Sequence, residues 1–166
     1  FITDDYMLWA PPLWMLTTII TYCGACAGST SGGIKCIRAL IMARIAKNEF
    51  KQILHPNAVL PVRVNGMSVS STTKSTVLAF FAVFVILVFV GWFTMMCIGL
   101  NFDDAYSVVI SSLANVGPGN GMCGPALSWN DLPDAAKWFS IVYMPIGRLE
   151  LFTVLLLLSP TFWKKR

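Results

Sequence analysis

Asn115, Val116, Gly117, Pro118 and Gly119 stand in the stretch "LANVGPGNGMCGP" (113–125), where three glycines and a proline fall within five positions. Such a run breaks any helix, and what it offers chemically is backbone. Rings of backbone carbonyls replace a cation's hydration shell in channel filters built from four T-V-G-Y-G loops. "NVGPG" keeps Val116, Gly117 and Gly119 at matching places. Gly117 can adopt the positive φ that turns successive carbonyls the same way, at no Cβ cost. One loop cannot close a ring, so three further loops must come from other sequence or other chains.

Other spacings that suggest chemistry fail on inspection. "GSTSGGIK" approaches a phosphate-binding loop, but after Gly28 and Gly33 comes Ile34, with Lys35 one place late and Cys36 where Ser or Thr would bind magnesium. "GNGMCG" (119–124) matches the dinucleotide fingerprint formally, yet no strand precedes it and Pro125 follows. Cys23 and Cys26 form a C-x-x-C inside an apolar run, but His55 is the only histidine, so a zinc site lacks ligands. Small thiols there suit close helix packing instead. No nucleophile–base pair and no metal cluster is visible, so no enzyme is expected. No covalent cofactor and no nucleic-acid partner are expected either. A bridge between Cys97 and Cys123 is left open by the sequence.

The elements that must position the glycine stretch are set by composition. Of 166 residues 56% are hydrophobic and only 12% charged, where soluble domains carry roughly 25%. The mean hydropathy is +0.68, and an integral membrane protein follows. Phe1 opens the chain with no charged leader, so it reads as a piece of a longer protein. Three apolar runs stand out, at 8–27, 77–100 and 135–159. The first begins with a Pro pair suited to a helix's first turn. The second is uncharged throughout and, as a helix of about 36 Å, is long enough to cross a hydrocarbon core of roughly 30 Å with tilt. The third carries Arg148 and Glu150. Trp92, Trp129, Trp138 and Trp163 are candidates for interface anchors or for core packing.

Charge orients these runs. Lys35, Arg38, Arg44, Lys47, Lys51, Arg63 and Lys74 lie between the first and second, and Lys164, Lys165 and Arg166 follow the third. Ten of the twelve basic residues thus share one side, which the positive-inside rule makes cytoplasmic. The N-terminus is then outside and the C-terminus inside. Within 34–76, "IKCIRALIMARIAKNEFKQIL" predicts a basic helix ended by "HPN", and "VLPVRVNGMSV" predicts a small hairpin on its Asn-Gly turn. Its basic charge also suits anionic lipid.

The segment 101–134 must leave and return to the same outer face. "AYSVVISSLA" makes a helix of about 15 Å, half a bilayer deep, with Asp103 or Asp104 expected to cap its outer end. A helix that dips in and a glycine strand that climbs out form a re-entrant loop. Irregular backbone at that depth survives only buried in protein or lining a watery cavity. The loop is therefore expected to line a pore; a loop that merely packs would make the protein a membrane scaffold.

"GACAGSTSGGIK", "ILHPNAVLPVRVNG", "ANVGPGNG" and "IGRLELFTVLLLLSPTFW" together resemble the Trk/Ktr/HKT superfamily of cation transporters, on its bacterial Trk-type potassium branch, over nearly the whole chain. Glu150 after "GRL" favours Trk over Ktr. The resemblance implies an all-α membrane protein built of four span–pore helix–filter–span repeats around one pore. Residues 1–33 would be the last span of repeat three with an intramembrane loop, 34–76 a cytoplasmic connection, and 77–166 repeat four. It implies a filter strand at Asn115–Gly119 with potassium at Asn115, Val116 and Gly117. It implies a gate loop at Gly24, Gly28, Ser29, Thr30, Ser31, Gly32 and Gly33; Ser31 departs from the three adjacent glycines common in relatives. It implies gated potassium uptake across the bacterial inner membrane, a homodimer, and a cytoplasmic nucleotide-binding (TrkA-like) regulatory subunit. Arg148, costly at mid-membrane, is expected to hold the gate loop by donating to its free carbonyls.

Overall fold

The computed structural model describes residues 8–22, 26, 29, 32–56 and 60–148. Among the described residues five α-helices and one hairpin follow in order: α1 (Pro11–Tyr22), α2 (Cys36–Leu54), β1 (Arg63–Val64), β2 (Met67–Ser68), α3 (Ser71–Ile98), α4 (Phe102–Ala114) and α5 (Asp134–Arg148). Single 3-10 turns at Gly121–Cys123 and Trp129–Asp131 interrupt the connection from α4 to α5.

The spine is α3. Its 28 residues make it about 42 Å long. Among the described residues it is the one helix long and apolar enough to cross a membrane. It begins six residues ahead of the uncharged run because Ser70 caps it, its hydroxyl accepting from the Thr73 amide at 3.1 Å. It ends at Gly99, whose φ of 109° only glycine takes without strain. The Gly99 and Leu100 amides bond back to Met96 and Met95 carbonyls, closing the helix end. Burial on α3 is confined to Val77, Phe80, Phe84, Val88, Gly91 and Met95. Steps of three and four place these on one stripe; Val83, Leu87, Trp92 and Met96 are half-buried beside it, and Ile86, Phe89 and Phe93 are exposed.

That stripe packs on α4, which turns back against α3 through only Gly99–Asn101. Val109 meets Gly91, where a Cβ would sit 2.9 Å from the Val109 side chain and 2.8 Å from the Tyr143 ring. Glycine is required there by close approach. Trp92 seals the turn by donating from Nε1 to the Phe102 carbonyl at 3.1 Å and packing edge-on to Phe102 and Tyr106. Trp92 therefore serves core packing, whereas Trp138 is exposed. Against the usual pattern, the most buried element is this short, half-polar helix: from Asp104 to Ala114 only Tyr106 is not buried. α1, α3 and α5 enclose it, and α5 contributes Ala136, Ser140, Tyr143 and Ile146 to the contact.

The basic stretch folds as α2, ended at His55. Arg38 lies over the Phe80 ring at 4.1 Å, joining α2 to the start of α3 by a cation–π contact. Asn65 (φ 50°) and Gly66 (φ 82°) form the turn of the hairpin, pairing Val64 with Met67. Residues 149–166, with Glu150 and Trp163, fall outside the described part, so the full extent of the third apolar run does too.

Candidate functional site

Three polar side chains on one face of α4 hold the glycine stretch. Asp104, Ser107 and Ser111 are spaced three and four apart, hence aligned along the helix. Asp104 Oδ1 accepts from the Met122 amide at 2.8 Å. Ser107 Oγ accepts from the Asn120 amide. Ser111 Oγ donates toward the Gly117 carbonyl at 2.8 Å, with the Pro118 carbonyl at 3.2 Å. Residues 117–120, which belong to no helix or sheet, and the 3-10 turn that follows them are thereby laced to a buried helix. The requirement that buried backbone groups be paired is met by a stripe of side chains.

This lacing corrects the expected cap. The helix is preceded by Asn101, which makes no side-chain cap bond, and Asp104 spends its carboxylate on the returning strand. Both carboxylates still sit in the first turn, where negative charge suits the helix dipole. Gly121 is forced by the same contact: at φ 64°, its Cβ would sit 2.0 Å from Asp104 Oδ1. Gly119 likewise has no room, with Ser107 Oγ 2.6 Å from a Cβ position. Cys123 is buried beside Asp104, and burial first, then that carboxylate, push its thiol up to about 12. Cys97 and Cys123 are both free thiols.

At the inner end of α4, Asn115 takes the left-handed conformation (φ 54°, ψ 43°) and returns its amide to the Ser111 and Ser112 carbonyls. Its side chain donates to the Met144 carbonyl of α5 at 3.0 Å. Gly117 has φ 101° with open space where a Cβ would be, so dihedral preference and not crowding selects glycine. Val116, Gly117 and Pro118 are exposed, Asn115 is half-buried and Gly119 is buried. A cavity of about 220 Å³ runs along this stretch between α1 and α4, lined by Thr18, Thr21, Ser107, Ser111, Val116 and Gly119 among others. Asn120 Nδ2 closes one side by donating to Thr18 Oγ1 at 3.0 Å.

Of the expected gate-loop residues, Gly24, Gly28, Thr30 and Ser31 lie outside the described part; Ser29, Gly32 and Gly33 lie inside it. Gly32 and Gly33 are buried against the end of α4, and Ile34 returns its amide to the Tyr22 carbonyl at 3.2 Å. Arg148 ends α5, exposed, with no ion pair or hydrogen bond among the described residues. The sequence does not single out Asp104, Ser107 and Ser111: their D-x-x-S-x-x-x-S spacing puts them on one helix face without marking their distant partners.

The family model for TrkH, a cation transport protein, covers residues 1–165. The Trk system potassium uptake protein TrkH of Vibrio parahaemolyticus is 38% identical over 99% of this chain and 33% of its own length. Those of Halomonas elongata and Escherichia coli are 36% and 34% identical, each over 99% of this chain and 34% of their own. The chain thus spans about a third of the curated relatives it matches. The crystal structure of the potassium transporter TrkH from Vibrio parahaemolyticus superposes with a TM-score of 0.85, 38% identity, and coverage of 94% of this chain and 33% of that one. These relatives are transport proteins and not enzymes, and the chain belongs to the TrkH family of cation transport proteins.

Proposed function

We propose that this chain supplies one part of the wall of a potassium-uptake pore in the bacterial inner membrane. In this reading α4 is a pore helix, residues 115–119 are a filter strand, and carbonyls of Asn115, Val116 and Gly117 replace part of a potassium ion's hydration shell. The observation that carries it is the laced strand on a buried helix, since irregular backbone at membrane depth survives only in protein or beside water. α4 runs about 20 Å back along α3, from one end of the span to near its middle. Its C-terminal end carries the negative pole of the helix dipole, equivalent to about half an elementary charge, and Asn115 leads straight from it into the strand. A cation is favoured at that spot. Ser111 fixes the Gly117 carbonyl from behind and leaves one lone pair for an ion.

Residues 24–33 act as a gate beneath the filter and Arg148 holds them. The basic face of α2 and the hairpin is cytoplasmic, and the outer turn at Gly99–Asn101 faces away from it. The functional unit is a homodimer of a longer protein that carries the remaining repeats, controlled by a nucleotide-binding (TrkA-like) subunit. Names of the relatives support potassium as the transported ion.

The test is potassium flux of the full-length protein in proteoliposomes, with and without a gradient. Potassium-dependent flux down the gradient is the expected result. Well-folded protein that carries no potassium would make it a scaffold. The 166-residue chain alone should not conduct, because a single filter strand cannot surround an ion; potassium-selective flux from it would contradict the single-chain, four-repeat arrangement.

A further inference from the structure

We propose that the pocket between α2 and the hairpin binds the phosphate of an anionic phospholipid headgroup. This rests on α3 crossing the bilayer and on nothing assigned to the filter or gate. The pocket, about 300 Å³, is lined by Arg44, Lys47, Asn48, Lys51 and Arg63, with Pro61 and Val62 at its base. Arg44, Lys47, Asn48 and Lys51 fall within an arc of about 100° on α2, and Glu49 lies about 140° round the helix from Arg44. The one acid of the segment therefore turns away. Among the described residues none of the four cations has an ion-pair partner. Four like charges gathered without a counter-charge repel one another, and a phosphate relieves that repulsion while giving the two guanidinium groups the oxygens they bind best.

The pocket is built, not a chance of flexible side chains. Asn48 Nδ2 donates to the Leu60 carbonyl at 3.1 Å, and Val62 is buried with its carbonyl accepting from the Val69 amide at 2.8 Å. The first bond ties the hairpin wall to α2, and the second closes the hairpin itself.

Its depth points to lipid rather than to a soluble phosphate. Val69 stands two residues before α3, whose length of about 42 Å equals a bilayer with its headgroups, about 40–45 Å. The start of α3 is then at headgroup level, and so is the wall bonded to it. On the flank of α2 next to Lys47, Phe50 and Leu54 are 71% and 75% exposed. Basic and apolar side chains side by side are the mark of a helix lying at a membrane surface.

Native mass spectrometry of the full-length protein, titrated with phosphatidylglycerol or phosphatidylcholine, tests this. Lys47→Gln/Arg63→Gln removes one cation from each wall and keeps the bonds of Asn48 and Val62. Phosphatidylglycerol should be preferred, and its affinity should fall at least about tenfold in that variant. Lys74→Gln, a cation on α3 outside the pocket, should bind as the unaltered protein does. Equal affinity in the double variant, or an equal loss in Lys74→Gln, overturns the proposal. Thermal protection by inorganic phosphate without preference for phosphatidylglycerol would give the pocket to a soluble phosphate and overturn the lipid assignment. So would a double variant that keeps its lipid but loses a soluble regulatory subunit.

Discussion

Gly32 and Gly147 close on the same two atoms. A Cβ at position 32 would lie 2.7 Å from the Leu113 carbonyl oxygen, and one at 147 only 1.8 Å from it; both would lie 2.9 Å from Asn115 Nδ2. The inner end of α4 is thus gripped from two sides, by the chain entering α2 and by α5. Because the obstacle is backbone, it cannot swing aside as a side chain would. Gly147→Ala should cost about 1–3 kcal/mol or more by overpacking, and Gly32→Ala less. The double variant should deviate from additivity by about 0.5–3 kcal/mol, since both push on one carbonyl. Thermal unfolding in detergent measures this, and an unchanged melting temperature for Gly147→Ala would mean α5 does not sit there.

Gly117 behaves differently. A Cβ there meets nothing within 4 Å, yet φ is 101°, a conformation that costs other residues about 1–3 kcal/mol. Gly117→Ser should therefore fold and express, while its strand relaxes toward negative φ and rotates the carbonyls at 116 and 117. Discrimination between potassium and sodium in the full-length transporter should weaken. An unchanged selectivity ratio at normal expression would remove 115–119 from the filter.

Two adjacent serines give opposite expectations. Ser111 Oγ carries the strand by its bond to Gly117, whereas Ser112 Oγ is buried with no hydrogen-bond partner among the described residues. An unmet buried hydroxyl costs about 1–3 kcal/mol. Ser112→Ala should hold or raise the melting temperature, and Ser111→Ala should lower it and blunt ion selectivity. Equal effects of the two on both readouts would show that the strand does not depend on Ser111.

Much of this arrangement was legible in the residues. The 24-residue uncharged run announced α3, the Asn65–Gly66 pair announced the hairpin, and "AYSVVISSLA" before a glycine run announced a short helix followed by irregular backbone. Helix starts were less visible: α3 begins at Ser71 because one serine hydroxyl caps it, a local bond that hydropathy does not register. Acids at a helix start usually serve that end, which is what makes Asp103 and Asp104 cap candidates. In the fold the partner of Asp104, Met122, is 18 residues away, and no local spacing marks so distant a bond. The requirement for glycine at 32 and 147 was equally hidden, since each glycine is explained by a carbonyl on another helix.

Arg148 follows Gly147 directly, so it stands one residue from the point where Gly32 docks on the Leu113 carbonyl. The proposed gate segment ends at that contact, and the arginine is therefore anchored beside it by a close backbone packing. It is exposed and has no counter-charge or hydrogen bond among the described residues. A charged side chain within a membrane span costs about 2.5–3.5 kcal/mol on insertion scales and finds partners in protein or water. Carbonyls freed in a broken helix are suited to it, because guanidinium offers five donors in a planar fork. Arg148→Ala should then release the segment, raise potassium flux through the full-length protein, and weaken control by the proposed cytoplasmic subunit. Arg148→Lys should restore control only in part, since an ammonium keeps the charge but loses the fork. Gly147 is untouched in both variants, so packing at Leu113 is preserved and the melting temperature should change little. If Arg148→Ala leaves flux and regulation as they were in folded protein, the segment 24–33 is not a gate held by this residue.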